Sequence, residues 1–260
     1  MTILDKIVEK KKQEVAEAKA QVSLAELEQY PLFGRTCYSL KDSILDPQKT
    51  GIIAEYKRAS PSKGLINGTS TVQDVVLGYQ NAGASAISVL TDPDFFQGSL
   101  ADLTAAREAL TIPLLRKEFI VDTYQIAEAK AYGADIILLI AACLTEEEVE
   151  SFSQYAKSLG LNVLLEVHNE EELHRSIFDS IDAIGVNNRN LKDFSVSLAH
   201  SHDLVDQIPD RFIKVSESGI SDPSTIRDLK ERGFQGFLIG ENFMKTGDPG
   251  AAMEEFVQQL

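Results

Sequence analysis

Cysteine is scarce in this chain of 260 residues, which contains only Cys37 and Cys143. Two cysteines without a Cys-x-x-Cys spacing argue against a disulfide framework and against a zinc knuckle. The N-terminus also lacks the apolar core that a signal peptide carries. We therefore expect a reduced, cytoplasmic protein.

Long hydrophobic runs and an excess of basic residues are absent as well. The longest apolar run, 136–144, has nine residues, about half of the roughly 20 that span a bilayer. The chain has 25 basic and 40 acidic residues, a net charge of −15, which opposes non-specific binding to nucleic acid. We expect neither a membrane nor a nucleic-acid partner. The same charge would repel a small anionic substrate on average.

Short apolar runs recur along the chain, separated by segments with helical patterning. Their spacing of about 20 to 35 residues fits one strand plus a helical crossover. Most are continuously apolar, as in strands that are covered on both faces. Eight such units predict a single α/β domain over residues 1–260, a (β/α)₈ TIM barrel. The runs are 51–57, 85–90, 112–116, 135–140, 161–167, 182–186, 211–215 and 235–239.

Capping signals separate the predicted strands from the helices that follow. Thr145 with Glu148 forms a capping-box pattern, and we predict the same arrangement for Asp122 with Gln125.

Residues 1–48 precede the barrel segment 49–260. Their helical patterning predicts an N-terminal helical extension. Ser23 with Glu26 is a further capping box. A loosely attached, solvated tail is the alternative. The predicted apolar face consists of Ile3, Leu4, Ile7, Val8 and Val15.

Nearly every apolar run ends in polar residues. In a βα barrel, all of these positions meet at the C-terminal mouth, where the active sites of this fold lie. So many polar strand ends favour a functional site over ordinary capping. They are Glu55, Lys57, Ser60, Thr91, Asp92, Lys117, Glu166, Asn187, Arg189, Glu217, Ser218, Gly240 and Glu241.

Two glycine turns follow the last two runs and predict a phosphate site. Gly219 and Gly240 lie where barrels of this type often hold a phosphate with backbone N–H groups. Glycine lets a ligand approach the backbone closely.

Lysines and carboxylates at the same mouth predict acid and base chemistry. Lys57 and Lys117 are expected to lower each other's pKa and to pair with Glu55, Glu166 or Glu217. For any one of these groups, a structural ion pair remains the alternative. Together they fit proton transfer around a carbonyl of an anionic substrate.

Basic residues near the strand ends predict a cationic mouth on the acidic body. The residues are Lys57, Arg58, Lys63, Lys117 and Arg189. The four histidines show no zinc-binding spacing, so no metal site is predicted.

These segments together resemble the indole-3-glycerol phosphate synthase family over about residues 3–256. The resemblance implies a (β/α)₈ barrel with an N-terminal helical segment and no metal or organic cofactor. The matching segments are 53–63 (IAEYKRASPSK), 88–92 (SVLTD), 96–98 (FQG), 115–122 (LRKEFIVD), 165–168 (LEVH), 185–191 (GVNNRNL), 215–219 (VSESG) and 238–241 (LIGE).

The resemblance also implies a reaction. The substrate would be 1-(2-carboxyphenylamino)-1-deoxyribulose 5-phosphate, and ring closure, decarboxylation and dehydration would give indole-3-glycerol phosphate. Lys117 resembles the general acid that protonates the ketone oxygen. Glu166 resembles the partner in the later proton removal, and Lys57 is placed to act as an acid or to bind the carboxylate.

The remaining site residues are assigned by the same resemblance. Glu55, Asn187 and Glu217 would complete the catalytic wall, and Ser60 with Lys57 and Arg189 would hold the carboxylate. The phosphate residues would be Ser218, Gly219, Gly240 and Glu241, and the apolar residues against the ring would be Phe119, Leu138 and Leu191.

Two positions depart from the family pattern: Glu118 replaces a usual Asp, and Thr123 a common Pro. Both changes are conservative. The alternatives are another phosphate-binding barrel enzyme, of the phosphoribosylanthranilate isomerase or tryptophan synthase α-subunit type, or a non-catalytic barrel that serves as a scaffold. The Glu-x-Lys-x-x-Ser-Pro-Ser segment and the retained lysines and glutamates argue against them. We expect a monomer whose partner is a small anionic molecule.

Overall fold

Eight parallel strands close into a barrel in the computed structural model, which describes residues 3–190 and 193–260. The first strand, Ile52–Tyr56, pairs with both the second, Ala86–Leu90, and the last, Gly236–Ile239, which closes the sheet. The predicted (β/α)₈ fold is therefore confirmed. The barrel strands are β1 (Ile52–Tyr56), β4 (Ala86–Leu90), β5 (Leu114–Lys117), β6 (Ile136–Ile140), β7 (Asn162–Val167), β8 (Ala183–Asn187), β9 (Ile213–Glu217) and β10 (Gly236–Ile239). A two-stranded hairpin follows β1 and consists of β2 (Ala59–Ser60) and β3 (Gly64–Leu65).

Helices connect the barrel strands and precede them. They are α1 (Ile3–Gln21), α2 (Leu24–Leu27), α3 (Leu40–Ile44), α4 (Val72–Asn81), α5 (Pro93–Phe96), α6 (Leu100–Ala109), α7 (Thr123–Ala131), α8 (Glu146–Ser158), α9 (Glu170–Arg175), α10 (Ala199–Leu204), α11 (Pro223–Glu231), α12 (Glu241–Met244) and α13 (Pro249–Val257). Within residues 3–190 and 193–260, no helix has the length and apolar character needed to cross a membrane.

The barrel strands are buried on both faces, which explains their continuous apolar sequences. One face packs on the surrounding helices, and the other forms a separate cluster inside the barrel. Leu40 and Ile44 of α3 belong to the inner cluster. Ser43 of α3 donates a hydrogen bond to the carbonyl of Ser85, directly before β4. Helix α3 therefore closes the N-terminal end of the barrel and leaves the C-terminal end open.

The N-terminal extension packs on the barrel instead of forming a loose tail. Ile7 and Val15 of α1 are buried, as predicted from their helical face. Lys11 is buried too, and its Nζ lies 2.6 Å from Glu14, 2.8 Å from Asp92 and 3.1 Å from Glu118. Asp92 and Glu118 follow β4 and β5, so this lysine ties the extension to the barrel mouth.

The capping boxes at Ser23 with Glu26 and at Thr145 with Glu148 are both complete. The box predicted at Asp122 is wrong in part. Asp122 caps α7 by accepting from the N–H of Tyr124, but Gln125 accepts from the N–H of Val121. Gln125 thus orders the loop before the helix.

Candidate active site

A cleft of about 600 Å³ opens at the C-terminal ends of the barrel strands. Every described site residue that the resemblance assigned lines this cleft. These residues are Glu55, Lys57, Ser60, Lys117, Phe119, Leu138, Glu166, Asn187, Arg189, Glu217, Ser218, Gly219, Gly240 and Glu241. Leu191, the remaining residue that the resemblance assigned, lies outside the described residues. Thr91 and Asp92, which were predicted to face the same mouth, do not line it, because Thr91 donates a hydrogen bond to Glu118 and Asp92 pairs with Lys11.

Four charged side chains form one layer at the base of the cleft. Alternate strands of a barrel contribute to the same interior layer, and β1, β5, β7 and β9 supply Glu55, Lys117, Glu166 and Glu217. Two positions earlier on the same strands are Ile53, Leu115, Leu164 and Val215, all in the buried inner cluster. The charged layer therefore lies on an apolar base.

Lys117 lies between two carboxylates. Its Nζ is 2.6 Å from Oε2 of Glu217 and 3.3 Å from Oε2 of Glu166. Burial by itself would lower the pKa of Lys117, but the charges of Glu217, Glu166 and Glu55 outweigh burial and raise this pKa. The prediction that Lys117 has a lowered pKa is wrong, because the charges closest to it are carboxylates and not the second lysine.

The two carboxylates beside Lys117 are shifted in opposite directions. Burial raises the pKa of Glu217, and the neighbouring Glu166 adds to this effect against the attraction of Lys117. Burial also acts on Glu166, but Lys117, His168 and Asn187 together lower its pKa. Pairs of groups with opposite shifts mark sites of acid and base chemistry.

Lys57 forms its own pair on the other side of the layer. Its Nζ lies 2.9 Å from Oε1 of Glu55, and the other oxygen of Glu55 accepts a hydrogen bond of 3.4 Å from Ser88. A Cβ at Gly240 would lie 2.7 Å from Oε1 of Glu55. Gly240 therefore leaves the space that the carboxylate of Glu55 occupies.

Asn187 joins the charged layer to the loop after β9. Its Nδ2 donates to Oε1 of Glu166 at 3.0 Å, and its Oδ1 accepts from Oγ of Ser218 at 2.9 Å. The backbone N–H of Arg189 donates to the same Oδ1 at 3.0 Å. These bonds fix the orientation of the amide relative to Glu166.

Two further glycines are required by close contacts. A Cβ at Gly185 would lie 2.2 Å from Oε1 of Glu217, so only glycine lets this carboxylate occupy its place. Gly219 has a φ of +80°, and a Cβ there would lie 2.6 Å from Cγ1 of Val196.

The charge of the cleft differs from the predicted cationic mouth. Arg58 does not line the cleft; its Nη1 lies 2.5 Å from Oδ2 of Asp102. Lys63 and Arg189 line it but share Glu241, at 3.5 Å and 3.9 Å. Lys245, which the sequence analysis missed, also lines the cleft. Each basic group predicted from the sequence thus has an acidic partner, so the net charge of the mouth is close to zero.

An apolar wall faces the charged layer, and only part of it was predicted. Phe119 and Leu138 are joined by Phe96, whose ring centroid lies 6.1 Å from that of Phe119. Ile3 and Leu4 of α1 also line the cleft. The apolar face of α1 indicated packing, but it did not indicate which part of the barrel the helix would contact.

No group of three or more His, Cys, Asp or Glu side chains among residues 3–190 and 193–260 is arranged to hold a metal ion. The cleft instead combines a largely buried lysine between carboxylates, an aromatic wall and glycine-backed loops. This arrangement can transfer protons and hold an aromatic ring beside an anionic group.

Comparison with known proteins identifies one family. A family model described as indole-3-glycerol phosphate synthase matches residues 4–256. The indole-3-glycerol phosphate synthase of Bacteroides thetaiotaomicron is 45% identical over 258 residues, which cover 99% of this chain and 98% of that protein. The enzyme of the same name from Campylobacter jejuni is 42% identical and covers 97% of this chain and 98% of its own.

Solved structures show the same fold at much lower identity. The 3-hexulose-6-phosphate synthase from Salmonella typhimurium is similar with a TM-score of 0.63 at 12% identity, over 80% of this chain and 96% of that chain. At this identity, the likeness shows the fold alone. The near full-length match to one family and the high identity to its members show that the chain belongs to the indole-3-glycerol phosphate synthase family.

Proposed function

We propose that the protein converts 1-(2-carboxyphenylamino)-1-deoxyribulose 5-phosphate to indole-3-glycerol phosphate, with release of CO₂ and water. The observation that carries this proposal is the position of Lys117, which lies largely buried between Glu166 and Glu217 at the base of a cleft with an aromatic wall. The reaction needs a proton donor at a ketone oxygen beside an apolar site for the ring.

Lys117 acts first in this proposal, as the general acid. Its ammonium group protonates the ketone oxygen while the ring carbon that bears the carboxylate attacks the carbonyl carbon. The carboxylate then leaves as CO₂, and its bonding electrons restore the aromatic ring. Phe119, Leu138 and Phe96 exclude water from this step, which favours conversion of an anion to neutral CO₂.

Glu166 acts in the second half of the reaction. Its lowered pKa keeps it ionised, so it can remove a proton from the ring-closed intermediate while Lys57 donates a proton to the hydroxyl group, which departs as water. Glu217 has a raised pKa and is the carboxyl group better able to hold a proton. Lys57 and Glu55 lie on the opposite side and serve the substrate carboxylate or a second proton transfer.

Binding of the substrate anions is assigned to the rim of the cleft. Ser60, Lys57 and Arg189 hold the carboxylate of the ring. The phosphate lies against Ser218, Gly219 and Gly240, with Glu241 orienting the cations Lys63 and Arg189 around it. Lys245 lies on the same rim and adds positive charge. These local cations allow an acidic protein to bind an anionic substrate.

Gly219→Val tests the phosphate position. The substitution places a side chain against Val196 at a positive φ, so the loop must move away from the phosphate. We expect KM to rise by about tenfold or more, a loss of about 1.4 kcal/mol in binding, with a smaller change in kcat. Gly247→Ala is the control, because a Cβ there meets nothing within 4 Å. An unchanged KM in Gly219→Val would contradict this position.

The proposed reaction is tested by mixing the purified protein with the anilino-deoxyribulose phosphate and following the fluorescence of the indole product. We expect turnover without added metal or cofactor. A folded sample that forms no indole product would contradict the proposal and would favour the scaffold alternative.

A further inference from the structure

His168 lies directly behind Glu166, outside the cleft itself. It follows β7 and points to the same side as Glu166, two positions earlier. Its Nε2 lies 3.3 Å from Oε1 of Glu166, and its Nδ1 lies 3.1 Å from Oε2 of Glu172 on α9. The imidazole is nearly enclosed, with 10% of its side chain exposed.

Glu172 holds this histidine at two points. The same Oε2 that contacts the ring accepts a hydrogen bond of 2.8 Å from the backbone N–H of His168. The other oxygen of Glu172 accepts a bond of 2.9 Å from Nδ2 of Asn169. The carboxylate is therefore fixed, and it fixes the plane of the ring that faces Glu166.

The surroundings of the ring favour its cationic form. Burial by itself would lower the pKa of His168, but Glu166 and Glu172 outweigh burial and raise this pKa to about 10. Burial raises the pKa of the nearby Cys143 thiol to about 12, so that group stays neutral. The ring of His200 contacts His168 through the backbone carbonyl of His168. Among the described residues, the carboxylates of Glu166 and Glu172 are the ionised groups in direct contact with the ring.

Glu166 consequently lies between two cations, while Glu217 has one. Lys117 contacts Oε2 of Glu166, and Asn187 donates a hydrogen bond to its Oε1. Nε2 of His168 lies 3.3 Å from the same Oε1, an ion-pair distance without the geometry of a hydrogen bond. For Glu217, Lys117 contacts Oε2, whereas Oε1 is buried with no hydrogen-bond partner among the described residues. Lys117 therefore pairs with two carboxylates, and only Glu166 has a second cation and a hydrogen-bond donor beside it.

We propose that His168, oriented by Glu172, is a positioning residue that holds Glu166 as an anion with one oxygen turned toward Lys117. Because this cation lies beside Glu166 and not beside Glu217, Glu166 acts as the base and Glu217 is the carboxyl group that retains a proton. This inference rests on the proposed reaction for its effect on turnover, but the Glu172–His168–Glu166 arrangement exists without substrate.

The first test is the pH dependence of kcat in His168→Asn and Glu172→Gln. Loss of the cation raises the pKa of Glu166, so the acidic limb of the kcat profile should move up by about one pH unit or more. We expect kcat to fall about tenfold on the acidic side and to approach the wild-type value at higher pH, with KM within about twofold. His168→Lys, which keeps a cation, should restore part of the shift.

Matched controls come from the same helix. His174→Asn and Glu171→Gln change exposed residues of α9 and should leave the profile unchanged. A variant that lowers kcat by the same factor at every pH, without moving the acidic limb, would show a purely structural role and overturn the inference.

The second test uses the unliganded wild-type protein and needs no turnover. The ring nitrogens of His168, followed by NMR, should remain protonated well above pH 7, and in Glu172→Gln the ring should titrate at lower pH. Titration of His168 near its ordinary pKa of about 6.5 in the wild type would overturn the inference. Absence of turnover in the wild type with this protonated ring would count against the proposed reaction alone.

Discussion

Replacement of Lys117 by methionine is expected to lower kcat by about 10²- to 10⁴-fold, the usual contribution of a positioned acid. Methionine keeps the length of the side chain but has no proton to give to the ketone oxygen. The change also leaves Glu166 and Glu217 facing each other without the cation between them, so one of them takes up a proton. The measurement is steady-state formation of the indole product.

The control for this variant is Lys214→Met. Lys214 is likewise a lysine of a barrel strand with little exposure, but its Nζ contacts Asp210 and the carbonyl of Val205, outside the cleft. It should lose stability and keep its kcat. A Lys117→Met enzyme with near-normal kcat would remove the proposed acid from the mechanism.

Glu166→Gln should produce the second large loss, again about 10²- to 10⁴-fold in kcat. The amide has the same shape, and its oxygen still accepts from Asn187, so the geometry of the layer is retained. The change removes the negative charge that accepts the proton in the second half of the reaction. Rapid mixing should show that this later step, and not substrate binding, is slowed.

Glu128→Gln is the matched control for Glu166→Gln. Glu128 is a largely buried glutamate whose Oε2 lies 2.7 Å from Nη2 of Arg116, away from the cleft. Both variants lose a buried ion pair, but only Glu166→Gln should lose the base. Equal losses of kcat in the two variants would mean that the effect arises from the stability of the barrel.

The barrel was predictable because its strands carry two signals at once. Most of the strands are largely apolar, and most carry a charged or polar residue at or just after their C-terminal end. In β5, Leu115 lies in the inner cluster and Lys117 lies two positions later in the charged layer. The side-chain period of two along a strand therefore places the charged layer directly above an apolar one.

The position of the extension was not predictable from its pattern. Lys11 lies within a run of three lysines, and its neighbours Lys10 and Lys12 are exposed. Only the three-dimensional proximity of Asp92 and Glu118 explains why this one lysine is buried. The contribution of Ile3 and Leu4 to the cleft follows from the same docking.

The pKa shifts and the close contacts in the site could not be predicted from the sequence either. The sign of the pKa shift of Lys117 depends on distances across the barrel, which strand order alone does not give. Gly240 was predicted to admit a phosphate, but the structure shows that the carboxylate of Glu55 also requires it. Arg58 was predicted to face the mouth, whereas its bond to Asp102 turns it toward α6.

The net charge of −15 is compatible with an anionic substrate because basic residues lie at the cleft. Lys57, Lys63, Arg189 and Lys245 all line the rim, and each predicted one is held by an acidic partner. A substrate carboxylate or phosphate can replace part of those contacts. Higher salt should therefore weaken substrate capture more than it slows the chemical step.

The most direct test of the account is a crystal structure of the protein with indole-3-glycerol phosphate bound. The account predicts the phosphate against the backbone of Ser218, Gly219 and Gly240, the indole ring against Phe119 and Leu138, and Nζ of Lys117 within hydrogen-bond distance of the reacting end. A product bound with its phosphate elsewhere, or with its ring away from Lys117, would contradict the assignment of this cleft as the active site.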